Sequence, residues 1–492
     1  MIRHSTLGTR SQLWFLFLLI IYTPLPLASN RPWALALLGL LTGCLLLWVI
    51  WRPGGRSVGS AWQIARVPLI LLGLWMALLV MQLVPMPGAW INALDHRVID
   101  GFGVTDSGSK TIATISIDPY STRLYLAKAC ILTAVFWLVV TLVDSRRRIE
   151  WLARIIVFSG LLQALVGIAL MSTGATFQIF FVQMEAARAH GTFVSPNQYA
   201  GYLELTLATG IGLMIAKLDG RISANWRQRV HGWLAVLLSG KAMLRLALII
   251  MVVGLVASRS RGGNSAFFAS LLIVGVFAVI FSKHAARTTV VFISSLIVLD
   301  VVIIGGMVGV EKVVQRIENT NLKAQSVETT LNESQAKGVR LAGNAQSLPV
   351  YHAEQSLEDR GEAIIPSLHI VRDFPWLGTG GGTFHLAFPH YQPESVQGYF
   401  DHPHNDYVEF AGEAGLSGFL LLALMVMHSA RQSFVLLMRS HDQLAAGMAF
   451  ASLMGILSLL IHGAVDFNFQ NPANAMLFLI LLSFPYLKML GK

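Results

Sequence analysis

Runs of about 20 apolar residues recur along most of the chain, and that recurrence leaves few folds open, because a helix needs about that many residues to cross a bilayer. Candidates lie near 11–28, 33–51, 67–84, 126–143, 152–172, 198–216, 242–257, 264–282, 288–307, 407–428, 445–464 and 474–490. About 12 such segments predict an all-α polytopic membrane protein, since a spanning segment must satisfy its own backbone. Of the 492 residues, 54% are hydrophobic and 13% charged, which excludes an ordinary soluble enzyme. The first run is interrupted by Pro24 and Pro26 and followed at once by another, so it reads as a membrane helix and not as a cleavable leader. Cys44 and Cys130, the two cysteines, sit inside apolar runs, so neither a disulfide framework nor a zinc site is expected.

The distribution of basic residues predicts orientation. With the N-terminus inside, alternate loops carry Arg52, Arg56 and Arg66; Arg146, Arg147 and Arg148; Lys217, Arg221, Arg227 and Arg229; Lys283 and Arg287; and Arg431 and Arg439. Cytoplasmic loops hold such an excess, so the net charge of +10 points to membrane topology and not to nucleic acid. The opposite face then receives 85–125, 173–197, 258–263, 308–406 and 465–473. The predicted organisation is nine spans over 1–307, one large periplasmic loop over 308–406, and three spans over 407–492. Within the loop, Glu318 to Ser347 is polar and poor in aromatics, which predicts a mobile or loosely helical surface element. Asp359 to Tyr407 is richer in Gly, Pro, aromatics and His, which predicts a folded one. No span reads as an inverted copy of another, which argues against a transporter.

Chemistry-bearing residues gather on the outer segments. His402-Pro403-His404-Asn405-Asp406-Tyr407 runs through Glu409 and Glu413 into the apolar segment from Phe419. A helix starting near Asn405 would put Asn405, Glu409 and Glu413 on one face, and lipid cannot solvate such a face. His404 is the preferred general base and His402 its support; a metal held by His402, His404 and Asp406 is the alternative, disfavoured because i, i+2 residues diverge on a helix. Ser258-Arg259-Ser260-Arg261-Gly262-Gly263 puts two arginines on the nominally uncharged side, suited either to phosphate or to lipid headgroups. Pro196-Asn197-Gln198 reads as a capped helix start or as a set of ligands for sugar hydroxyls or phosphate. Arg360 precedes the Gly-rich run Gly378-Thr379-Gly380-Gly381-Gly382, which is either a phosphate cradle or a structural turn and lacks the Walker ending. Asp466 sits on the last outer loop with Asn468 and Asn471, where it can pair with an arginine or orient a histidine. Arg123 opens a span on the outer side; Asp300, Glu204 and Arg245 are charges inside spans that lack an assigned partner.

Taken together and in order, these motifs resemble the bacterial O-antigen ligase and O-antigen polymerase superfamily. The resemblance rests on Ser260-Arg261-Gly262-Gly263, Pro196-Asn197-Gln198-Tyr199-Ala200-Gly201, Asp373-Phe374-Pro375-Trp376-Leu377-Gly378 leading to Gly382-Thr383-Phe384, His402-Pro403-His404-Asn405-Asp406-Tyr407, and Ile117-Asp118-Pro119-Tyr120-Ser121-Thr122-Arg123. It implies glycosyl transfer at the periplasmic face of the bacterial inner membrane, without metal or other cofactor and with inversion. The implied donor is a glycan on undecaprenyl pyrophosphate, and the implied acceptor is a lipid A core or another glycan. His404 stands at the family's histidine, and Asn405, Asp406 and Glu409 beside it are expected to orient its ring and stabilise the imidazolium. Arg261, Arg360, Arg123 and Arg259, with Asn197 and Gln198, are the expected donor-binding residues. A ligase is expected first, a polymerase of the same superfamily second, and a lipid-linked oligosaccharide flippase third.

Overall fold

The computed structural model describes residues 2–53, 56–91, 112–217, 240–281 and 357–487, except for single positions or pairs at 89, 181, 185–186, 395 and 397–398. The expected span at 288–307, Asp300, the polar stretch from Glu318 to Ser347 and most of the predicted loop lie outside the described residues, as do the side chains of 357–362. The chain is built from helices: α1 (Ile2–Tyr22), α2 (Pro32–Trp51), α3 (Val58–Leu83), α4 (Pro119–Leu142), α5 (Arg146–Thr173), α6 (Pro196–Ile215), α7 (Gly240–Ala257), α8 (Arg261–Phe281), α9 (Leu357–Asp373), α10 (Asp406–Arg439), α11 (Gln443–Gly463) and α12 (Pro472–Ser483). Two short antiparallel ladders, Met86–Pro87 with Ile112–Ala113 and Phe177–Ile179 with Val182–Met184, close loops at the helix ends.

Among the described residues, eight helices are long and apolar enough to cross a membrane: α2, α3, α4, α5, α7, α8, α10 and α11. The apolar parts of α1 and of the 472–486 segment are shorter. The helix expected at 198–216 forms, as α6, but is not among the eight, and its burial explains why. Every residue from Asn197 to Met214 is buried inside the protein. A helix surrounded by other helices faces no lipid, so its sequence is freed to carry Asn197, Gln198 and Glu204. It packs on α5, α7, α8, α11 and α12. Close approach to α11 comes from small residues: a Cβ on Gly212 would run into the Gly447 backbone, and one on Gly447 into that of Gly212.

Several helix boundaries differ from the expected spans. Helix α3 begins at Val58 and not near 67, because Ser57 caps it by accepting from Ser60 N; Pro68 then kinks it, with Ala65 at φ −113. Helix α10 runs on to Arg439, past the expected end near 428, since Ser433 Oγ donates to Ser452 Oγ on α11 at 2.9 Å and holds the extra turns in place. Helix α1 stops at Tyr22, ahead of Pro24 and Pro26.

The bundle has two unlike ends. At one end, Arg146 pairs with Asp442, Arg148 with Asp144 at 2.9 Å, and Arg56 donates to Val140 O at 2.8 Å. Arg56, Arg146 and Arg148 belong to two of the basic loops read from the sequence; Arg221, Arg227, Arg229, Lys283 and Arg287 lie outside the described residues. At the other end lie the starts of α4, α6, α8, α10 and α12, and residues 357–405 fold there around a smaller apolar core of Ala363, Ile370, Phe374, Phe384, Phe388 and Phe400.

Candidate active site

The first turn of α10 is where the site is assembled. Asn405 is its N-cap: the side-chain oxygen accepts from Tyr407 N and Val408 N, and Nδ2 donates to Ala464 O at 2.9 Å. The Asp406 carboxylate accepts from Asn468 N at 2.9 Å and Phe469 N at 3.2 Å. Asn405 and Asp406 thus tie the start of α10 to the 464–469 turn that follows α11. Glu409 is buried, and its Oε1 lies 2.7 Å from His402 Nδ1. The His402 ring stacks on Phe467 at 4.4 Å. Burial pushes the His402 pKa down to about 4, so the ring is neutral near pH 7 and its contact with Glu409 holds a single hydrogen.

His404 is set differently. Its backbone is in the left-handed region at φ 51, an uncommon conformation for a side-chain-bearing residue and one that clusters at functional sites. The ring meets Phe467 edge-on at 5.0 Å, with Nδ1 3.9 Å from Asp466 Oδ1, beyond hydrogen-bond reach. Among the described residues, His404 Nδ1, Glu409 Oε2 and Glu413 Oε2 are buried and have no hydrogen-bond partner. Buried polar atoms are ordinarily hydrogen-bonded, so these three are open to water or to a bound group. Among the described residues, no group of three or more His, Cys, Asp or Glu is arranged to hold a metal ion.

The Gly-rich run has a structural job. Helix α10 breaks at Gly415, φ 65 and ψ 176, which frees the carbonyls before the break. Thr379 N donates to Gly412 O and Gly380 N to Glu413 O, both at 2.9 Å, while Leu416 N donates to Pro375 O at 2.7 Å. Gln82 Nε2 joins Leu377 O at 2.6 Å and Glu413 O at 2.9 Å, and its Oε1 accepts from Gly381 N at 3.1 Å. The N–H groups of Thr379, Gly380 and Gly381 are therefore engaged by α10 and α3. Glu413 itself accepts from Phe384 N at 3.0 Å and faces this loop.

The remaining predicted residues divide by location. Arg261 is the first residue of α8 and Arg123 lies in the first turn of α4; both are exposed. Arg259 is exposed at φ 52, and Arg188 Nη2 donates to its carbonyl at 3.3 Å. Arg360 lies on α9. Ser195 caps α6, and Gln198 Oε1 accepts from Asn471 Nδ2 at 3.0 Å, locking α6 to the turn before α12; Asn197 is buried beside it. Asp466 is buried and faces His404.

Two groups escaped the sequence reading. Lys128, on α4, donates to Gln470 O at 3.3 Å and Gln470 Oε1 at 3.0 Å, within electrostatic reach of Glu413, Glu409 and Asp406. A lysine amid the apolar run 126–143 was the available signal. Gln82 carried no signal at all, since one amide near a span end is common. Beside Lys128 and Asp406 opens an apolar cavity of about 280 Å³ between α3, α4, α10 and α12, lined by Trp75, Tyr125, Leu132, Phe410, Phe419 and Phe478.

Residues 246–423 match the protein-family model described as O-antigen ligase, which supports membership of that superfamily. The matched stretch takes in Arg259, Arg261, Arg360, His402, His404, Glu409, Glu413 and Gly415, and leaves Arg123, Asn197, Gln198 and Asp466 outside. No curated protein matches the chain.

Proposed function

We propose, from the premise that this chain is a member of the O-antigen ligase superfamily with ligase- or polymerase-type function, that it moves a glycan from undecaprenyl pyrophosphate to an acceptor sugar hydroxyl. The ligase reading is preferred, with a polymerase of the same family as the alternative; the acceptor is a lipid A core or a second glycan. The observation that carries the reading is His404: held in a left-handed backbone, packed on Phe467, facing buried Asp466, and with no hydrogen bond to Nδ1 among the described residues. Catalytic hydrogen bonds are often long before substrate binds and tighten in the complex.

In the proposed step, the acceptor oxygen attacks the anomeric carbon from the face opposite the phosphate, inverting it. Its proton passes to His404, and the sugar–phosphate bond breaks with its electron pair going to undecaprenyl pyrophosphate. Asp466 orients the ring and stabilises the imidazolium. Burial holds the His402 pKa down at about 4, and His402 serves with Glu409 to support the turn. The pyrophosphate needs charge neutralisation more than protonation, and Arg261 supplies it, joined by Arg360, Arg123 and Arg259. The starts of α4, α6, α8, α10 and α12 at this end add the positive ends of their dipoles. The apolar cavity beside Lys128 suits an isoprenoid chain.

Arg261→Lys is expected to lose at least about tenfold in kcat/KM although charge is kept, because an ammonium cannot form the bidentate fork. The purified protein should transfer equally well in EDTA. Full activity of the lysine variant would make Arg261 a headgroup anchor; loss on chelation that metal restores would overturn the base mechanism.

The reading also requires residues 357–405 on the periplasmic face of the inner membrane. A cysteine replacing exposed Glu394, in a background with Cys44 and Cys130 changed to serine, should react with an impermeant maleimide added outside spheroplasts. Labelling only after the membrane is opened would reverse the topology and remove the periplasmic donor from reach.

A further inference from the structure

Glu204 and His462 take no part in the mechanism above, yet both are fully buried at the site end of the bundle. His462 Nδ1 lies 2.7 Å from Glu204 Oε1, and Ser458 Oγ donates to Glu204 Oε2 at 2.6 Å. The contact joins α6 to α11. A buried carboxylate is costly, and its best-attested use is to fix a register that apolar packing leaves loose.

What the pair faces is the first turn of α8. A Cβ on Gly262 would stand 3.0 Å from His462 Cδ2 and 2.9 Å from Val465 Cγ2. One on Gly263 would stand 2.7 Å from Ala200 Cβ, 3.0 Å from Glu204 Oε1 and 3.1 Å from His462 Cε1. The two residues after Arg261 therefore lie flat against the pair, with room for hydrogen only. Gly262 and Gly263 are thus the surface on which α8 is seated. Val465 is followed by Asp466, the residue facing His404. One short segment, 462–466, thus touches both the helix start bearing Arg261 and the histidine.

We infer that the Glu204–His462 pair is a positioning element for Arg261. It seats the first turn of α8 on the turn that carries Asp466 and so sets the guanidinium relative to His404. The carboxylate also lies beside the first turn of α8, where negative charge is favoured by the helix dipole. This role rests on Arg261 being the pyrophosphate-binding group proposed above.

The sign of one substitution separates positioning from simple charge. Removing a carboxylate near an anion site should tighten anion binding; removing a positioning group should weaken it. The test measures Kd for undecaprenyl pyrophosphate with the full chain in nanodiscs, for wild type, Glu204→Gln, Arg261→Ala and the double variant, with thermal midpoints alongside. Glu204→Gln is expected to bind about tenfold more weakly, and the double variant no more weakly than Arg261→Ala, because positioning acts through the arginine alone. Gly262→Ala, whose Cβ would press on His462 and Val465, should give the same non-additive pattern and carries the test if Glu204→Gln does not fold. Unchanged or tighter binding in Glu204→Gln, or equal losses with and without Arg261, would overturn the positioning role while leaving the donor reading intact. A folded wild type that does not bind the lipid pyrophosphate would overturn both.

Discussion

Replacing His404 with alanine is expected to lower glycan transfer by roughly 100- to 10,000-fold, the usual worth of general-base help, while leaving lipid pyrophosphate binding nearly unchanged. On the proposed mechanism, binding should survive because Arg261 on α8 and Arg123 on α4 would hold the donor independently of the histidine. The backbone at 404 is left-handed, so alanine alone would mix lost chemistry with strain. Asparagine tolerates that conformation and lacks a usable base, so His404→Asn should be as inactive as His404→Ala and more stable. His402→Ala should behave in the opposite way. It strands the buried Glu409 carboxylate, costing about 1–3 kcal/mol of stability, yet retains transfer. The measurement is turnover and thermal midpoint for all three variants under one set of conditions. An inactive but stable His402→Ala beside an active His404→Asn would move the base to His402.

Gly415→Ala is expected to be the most damaging single-methyl change in α10. At φ 65 and ψ 176 the residue occupies a region that is essentially glycine-only, and forcing alanine there costs about 1–3 kcal/mol. The new Cβ would also collide with the Trp376 carbonyl. Relief requires moving the 375–380 segment, and with it the hydrogen bonds from Thr379 N, Gly380 N and Leu416 N that close the break. Low yield of folded protein is the expected outcome, read by size-exclusion profile and thermal midpoint. Gly412→Ala is the control on the same helix. Its Cβ would meet Ile370 at an ordinary 3.4 Å, in regular helix where alanine is the better residue, so its effect should stay within about 1 kcal/mol. Equal stability of the two variants would mean that α10 does not need its break.

The break matters because it sets where the polar part of α10 ends. Glu409 and Glu413 come before it and the apolar run comes after, so the carboxylates lie against the 375–413 segment and the 464–471 turn and not against lipid. The Gly-rich run was visible in the sequence, but its role was open between phosphate cradle and turn. The deciding contacts come from Gln82, 331 residues from Glu413, and from Gly412 and Glu413, some thirty residues beyond the loop.

What the sequence determined by itself is whatever depends on a local sum. Apolar runs long enough for a bilayer set the membrane class and located most of the helices, since transfer from water to lipid adds up residue by residue along a segment. Caps were equally local: Asn405, Asn471 and Ser195 bond to N–H groups two or three residues on, so each helix start is written beside its helix. Only the tertiary structure decided which polar groups meet. Asp406 turns to Asn468 and Phe469, Glu204 to His462, and Lys128 to Gln470, partners separated by 62, 258 and 342 positions. Such pairs are fixed by how helices pack, and packing depends on the shape of both faces at once. The same reason kept α6 from reading as it is used. A helix buried on every side meets protein and not lipid, so its hydropathy no longer reports its place, and its one carboxylate gains meaning only from the histidine across the interface.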